Sequence, residues 1–237
     1  ISALLVSFAA AALPAEWTTA APEAFTVNSD GSLTIKAQGN IGAQLNKEVS
    51  GDFTLEFQIN APAVHEKMDQ KGVVAVMCPG QDWLGGYWFR ITADYIQFND
   101  GTNNTYVETA PGTCTINKTE MNNVKIQCIN NKLTFTVNGD KVAEVTPAVT
   151  TGKFICIGAN YAVVEPATVA DLTETIKIQN MKLTVGGETF NYFTASGSET
   201  SSTTSNTDTA DSSVIIAVSA MLIATLGLTI IFKAKKA

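Results

Sequence analysis

The chain of 237 residues has one histidine, one arginine and four cysteines, and only 16% of its residues are charged. Each scarcity closes off a class of chemistry. Serine and cysteine nucleophiles depend on a histidine base, and His65 stands in the polar run His65-Glu-Lys-Met-Asp-Gln-Lys71, which reads as a loop. A retaining glycosidase needs clustered carboxylates, and no Glu-x-Asp-x-x-Glu occurs. Glu56 is alone in its run, while Glu165, Asp171 and Glu174 fall in a proline-containing stretch. No acidic or thiol spacing defines a metal centre, and Asn99-Asp100-Gly101 reads as a solvated turn. The net charge is −7, or about −10 once the three lysines of the tail are set aside, which excludes nucleic acid as a partner. The chain reads as a non-enzyme without a cofactor, a carbohydrate-active hydrolase being the alternative.

What the chain does have is an uncharged run of 21 residues, Ser212 to Phe232, between Asp211 and Lys233. At about 1.5 Å per residue a helix of that length spans about 31 Å, enough for a hydrocarbon core of roughly 30 Å. A transmembrane helix is therefore expected over 214–232, with a cytosolic tail at 233–237 because the lysines follow the span. At the other end, residues 1–15 (ISALLVSFAAAALPA) read as an incomplete signal peptide. The expected topology is single-pass type I.

Residues 194–213 contain 13 Ser or Thr among 20, too polar to fold alone, and read as a stalk. The remaining span, 16–193, is the size of one domain. Its features suit an exported protein. Cys78, Cys114, Cys128 and Cys156 are disulfide candidates, with Cys78–Cys114 and Cys128–Cys156 one of three pairings. Asn103 and Asn117 head N-x-Thr glycosylation sequons.

Within that domain the apolar period is two. Phe53, Leu55, Phe57 and Ile59 alternate with Thr54, Glu56 and Gln58. Val124, Ile126 and Cys128 lead through an Asn130-Asn131 turn to Leu133, Phe135 and Val137, so Ile126 should face Phe135. Val73–Cys78 and Phe154–Gly158 are apolar on both faces and suit central strands. Near the end, Ile176 and Ile178 change phase to Met181, Leu183 and Val185, which predicts a bulge near Asn180. Ten or more short strands with turn residues between them predict an all-β sandwich.

The order of these elements resembles a known family of folds. Glu16-Trp17, the run Gly31-Ser-Leu-Thr-Ile35 and Gly51-Asp-Phe-Thr-Leu-Glu-Phe57 resemble the opening of concanavalin A-like jelly rolls, including laminin G-like domains and the related 3-keto-disaccharide hydrolase family. Asn123–Gly139, Gly152–Gly158 and Ile176–Val185 are similar to the closing half. The resemblance implies a glycan-binding face on the concave sheet or its rim loops, and a rim calcium of the kind laminin G-like domains carry.

The candidate site comes from the hairpin around Ala93-Asp94. If Thr92 pairs with Tyr95, Phe89 and Ile91 face Phe98 and Ile96 on the core side, and the other side carries Trp88, Arg90, Tyr95, Gln97 and Asn99. An aromatic plate beside a cation and two amides suits a sugar, the ring packing on C–H faces and the polar groups reading hydroxyls or carboxylates. Trp83 would add to the rim. The structural alternative is a covered face on which Arg90 stacks on Trp88 as support.

The expected function is a lectin-like ectodomain that binds a glycan or surface protein, at the cell surface or in the early secretory pathway. Lys233 and Lys235 resemble a dilysine retrieval signal and are equally a stop-transfer anchor. A lipid-anchor signal is a further reading of the same segment, with the terminal lysines against it. Ala217, Ala220, Ala224 and Gly227 fall on one helical face, through which the span could self-associate.

Overall fold

The computed structural model describes residues 11–36, 40–63, 68–80, 85–99, 106–108, 114–147, 152–163 and 175–194; at 68–70, 106–108 and 161–163 this covers the backbone alone. Chain contacts separate Ile1–Glu199 from Thr200–Ala237, and the second unit lies outside the described residues. So do the expected span 214–232 and the tail lysines. Among the described residues no helix is long and apolar enough to cross a membrane.

The domain is an all-β sandwich, as the period of two requires. Its strands are β1 (Trp17–Thr19), β2 (Phe25–Val27), β3 (Leu33–Ile35), β4 (Ile41–Leu45), β5 (Phe53–Ile59), β6 (Met68–Cys78), β7 (Tyr87–Ile91) and β8 (Ile96–Asn99). The chain continues through β9 (Tyr106–Glu108), β10 (Asn122–Ile129), β11 (Lys132–Val137), β12 (Asp140–Val145), β13 (Phe154–Val163), β14 (Ile176–Val185) and β15 (Glu188–Tyr192). One sheet runs β1-β4-β13-β6-β7-β8-β9, the other β12-β11-β10-β5-β14-β3-β2 with β15 beside β14.

Both expected hairpin registers occur. Ile126 lies opposite Phe135, and Phe89 opposite Phe98. Asn130 and Asn131 both take positive φ, as a two-residue turn matched to strand twist demands. The inward side chains of the two sheets, among them Leu55, Ile59, Phe89, Phe98, Ile126 and Phe135, form one buried cluster. Each such side chain contributes about 1.5–3 kcal/mol by leaving water. Phe98 and Phe135, from opposite sheets, pack with ring centroids 5.1 Å apart and close the two layers on each other.

Two bulges set which side chains face outward. In β14, Asn180 has φ +53, and the register with β5 shifts between Gln179 and Lys182. The extra residue lets Ile178 and Met181 both point into the core. In β6, Met77 has φ +56 and the register with β13 shifts, so Val76 and Met77 both join the core while Cys78 turns to the outer face. The β14 bulge is legible in the phase change of the sequence. The β6 bulge is hidden, because both faces of that strand are apolar there.

Two expectations are corrected. Lys71, read as part of a loop, lies in β6 and is buried; His65 lies outside the described residues. Among the described residues no disulfide joins the four cysteines. Cys128 packs in the core from the second sheet, whereas Cys156 sits with Cys78 in a separate cluster on the outer face of the first, so a Cys128–Cys156 bridge has no path. Ala11 forms a bridge with Val27, and Leu13 packs on the core.

Candidate functional site

The outer face of the first sheet is where polar groups are buried. Among the described residues, seven polar or charged residues are buried: Ser32, Lys71, Arg90, Thr92, Gln97, Asn99 and Asn122. Five of them, all but Ser32 and Asn122, belong to β6, β7, β8 and the turn between the last two. Register explains the gathering. Val73, Arg90 and Gln97 lie in one row across β6, β7 and β8, and the row continues to Gly158 on β13 and to Glu108 on β9. The next row holds Cys156, Ala75 and Trp88, with Asn99 facing Tyr106 beyond it. Lys71 begins the same face one row back, opposite Asn160.

The hairpin that carries Arg90 and Gln97 is fixed at its turn. The Thr92 N–H donates to the Tyr95 carbonyl at 3.0 Å, and the Tyr95 N–H donates to the Thr92 hydroxyl at 3.1 Å. Lys118 reaches Asp94 at 2.9 Å, and the Ala93 N–H donates to the Pro62 carbonyl at 2.8 Å. The two strands therefore cannot slip, and the polar row keeps its spacing.

The expected residues come together in altered roles. Trp88 is only 1% exposed, packed with Val73, Ala75, Cys78 and Cys156. The Arg90 guanidinium carbon lies 3.8 Å from the centre of its ring. That ring face carries the cation, so Trp88 supports Arg90 and is not an open plate for a sugar. Arg90, Lys71 and Gln97 keep only 6–8% of their surface. The Lys71 ammonium lies 5.6 Å from the Tyr95 ring centre. Lys71 and Thr92 were missed by sequence reasoning, although both have the outward parity of Val73 and Arg90. Trp83 and Asn103 lie outside the described residues.

Elsewhere the candidates separate. Glu56 sits on the outer face of the second sheet and pairs with Lys182 at 3.4 Å, remote in topology from Arg90. An open cleft of about 390 Å³ there is lined by Glu56, Gln58, Asn123 and Asn180. Its amides engage one another: Gln58 donates to Asn123 and accepts from Gln179 and Asn180, each at 2.9 Å. Asn117 lies in the segment before β10, where Asn122 accepts its N–H at 2.8 Å and donates to its carbonyl at 2.9 Å. Among the described residues no cluster of three metal-ligating side chains forms. The Cys128 thiol is pushed up by burial and then by Asp52.

Solved structures share this architecture at low identity, which is a likeness of fold. A carbohydrate-binding module, CBM66 from Bacillus subtilis, is 16% identical with a TM-score of 0.50, covering 71% of this chain and 94% of that one. A protein from Parabacteroides distasonis described as a glycosyl hydrolase is 17% identical with a TM-score of 0.50, covering 72% and 93%. A sialidase aligns at 11% identity and a TM-score of 0.51 over 72% of this chain and 17% of its own. No curated protein matches the sequence. The family described as 3-keto-alpha-glucoside-1,2-lyase-like domain matches residues 8–169. That is more than half of the chain, and the protein belongs to this family.

Proposed function

We propose that the domain binds a carbohydrate on the outer face of its first sheet, with Arg90, Gln97, Asn99 and Lys71 as the groups that meet hydroxyls. The carrying observation is that, among the described residues, five of the seven buried polar residues lie on that one face. Two cations and two amides held on one face of rigid strands offer donors and acceptors at the fixed spacing that reading hydroxyls requires. The kinship with carbohydrate-binding folds supports the same reading. Trp88 and Tyr95 support Arg90 and Lys71 from beside them, and Trp83 is kept as a candidate for the rim. Binding of the full chain to a glycan array tests this, a reproducible set of related glycans being the expected outcome. A blank array for folded protein overturns it.

The uncharged segment 212–232 supports presentation of this domain on a Ser/Thr-rich stalk above a single span, with glycans at Asn103 and Asn117. Protease protection in sealed vesicles tests the orientation: the tail is cleaved from outside and the domain is not. Surface staining that rises in Lys233→Ser/Lys235→Ser would favour residence in the early secretory pathway over the cell surface.

A further inference from the structure

A recess lies at the end of the sandwich. It is a cleft of about 250 Å³ where β5 begins, β10 ends and the segment Gly152–Lys153 enters β13. Its floor is apolar, made by Val49, Phe53, Met77 and Cys128, all buried. Its rim is polar and exposed, made by Ser50, Asp52, Asn131 and Lys153. The rim carries both signs of charge, one hydroxyl and one amide.

The walls are held in place by unusual backbone. Met77 lines the cleft at φ +56, a conformation that costs a non-glycine residue of order 1 kcal/mol or more and persists only where its surroundings enforce it. The enforcement is visible. A Cβ at Gly152 would collide with the Met77 carbonyl and the Cys78 backbone, so only glycine lets the two segments approach. The Lys153 N–H donates to the Cys78 carbonyl at 3.1 Å, and the Val49 N–H donates to the Lys153 carbonyl at 2.7 Å. Asp52 accepts the Asn130 N–H at 2.9 Å, fixing the carboxylate beside the β10–β11 turn. Strained backbone lining a pre-formed recess is a mark of a functional site.

We infer that this cleft is a second binding site, for a single neutral hexopyranose ring such as the end residue of a glycan. Size points to one ring, since the volume is below the roughly 300–1,000 Å³ of clefts that take drug-sized ligands. The chemistry points to a sugar. An aromatic ring, a thioether and a valine meet C–H groups, while a carboxylate accepts from hydroxyls and an ammonium and an amide donate to them. A charged ligand of either sign would meet one like charge on the rim. The site shares no residue with the face that carries Arg90, so the two readings stand or fall separately.

Saturation-transfer NMR of the full chain in detergent micelles, with methyl hexopyranosides as probes, tests the inference. Transfer to at least one hexoside is expected, abolished in Ser50→Trp, which fills the cleft, and about tenfold weaker in affinity in Asp52→Asn, which keeps the Asn130 bond. Gln97→Ala should leave it intact. Ser50→Trp is exposed at its site, and an unchanged melting temperature would show that it folds. Absence of transfer to every hexoside, or loss in Gln97→Ala with retention in both cleft variants, overturns the proposal.

Discussion

The Arg90 guanidinium lies over the Trp88 indole with its central carbon 3.8 Å from the ring centre, and both side chains are buried on the outer face of the first sheet. A desolvated pair of this kind is worth about 2 kcal/mol. Trp88→Ala should therefore destabilise the domain by about 3–5 kcal/mol in denaturant unfolding, whereas Trp88→Phe retains most of the stability. A Trp88→Ala variant that kept full stability and lost only ligand binding would show the ring to be a ligand platform after all.

Asn122 is fully buried and holds the segment before β10. It accepts from the Asn117 N–H and the Asn138 amide, each at 2.8 Å, and donates to the Asn117 carbonyl at 2.9 Å. Asn122→Ala leaves these groups without a partner, and a cost of about 2–3 kcal/mol is expected. Hydrogen exchange should accelerate at Asn117. Unchanged exchange there would remove Asn122 from that role.

Asn180 at φ +53 sits where left-handed backbone favours glycine or asparagine. Asn180→Gly should change stability by less than about 1 kcal/mol, and Asn180→Val should cost well above that, because a β-branched side chain opposes the bulge. Equal effects of the two would place the bulge elsewhere in solution.

Acid should release one defined contact. Asp30 is held at about 2, against 3.8 for the free group, first by the Ser32 hydroxyl and N–H and then by Lys177 at 3.0 Å. Because the folded value is depressed, the stabilisation is present above about pH 4 and is lost as pH falls towards 2. Both partners of the ion pair are more than a third exposed, so solvent screening holds the effect under about 1 kcal/mol. Asp30→Asn should flatten the stability curve between pH 4 and pH 2 and leave its slope above pH 5 unchanged. An unaltered acid limb would rule the contact out.

Thiol titration of the unfolded, unreduced chain should find four reactive groups, since no disulfide joins the cysteines. Under native conditions Cys114, half-buried, should react ahead of Cys128 and Cys156, which are nearly inaccessible. Recovery of two thiols or none would contradict the cysteine placement.

Much of this fold is legible wherever a strand has one wet face and one dry face. The registers Phe89 to Phe98 and Ile126 to Phe135 follow from alternation and turn residues alone. Legibility ends where that contrast fails. Gly42 and Gln44 interrupt β4, and three-residue strands such as β1 and β9 are too short to show a period. Lys71 was hidden because the run His65-Glu-Lys-Met-Asp-Gln-Lys71 is largely polar, which is also the pattern of a loop. Cys128 and Cys156 both read as core-facing in the sequence, and only Cys128 is: β13 is apolar on both faces, so alternation could not show that Cys156 points outward. The same limit applies to the site: alternation placed Trp88, Arg90, Gln97 and Asn99 together, but that the cation lies on the ring is a matter of packing.

The measurement that bears most directly on the binding face is the affinity of an array-selected glycan for Gln97→Ala beside Asn123→Ala. Gln97 is buried in the polar row of the first sheet, and Asn123 is exposed on the outer face of the second. If the first sheet binds the glycan, Gln97→Ala should weaken it by about tenfold or more, the worth of one buried hydrogen bond, with Asn123→Ala within about twofold of the natural chain. Undiminished affinity in a folded Gln97→Ala variant, with loss in Asn123→Ala, would place the binding face on the opposite sheet.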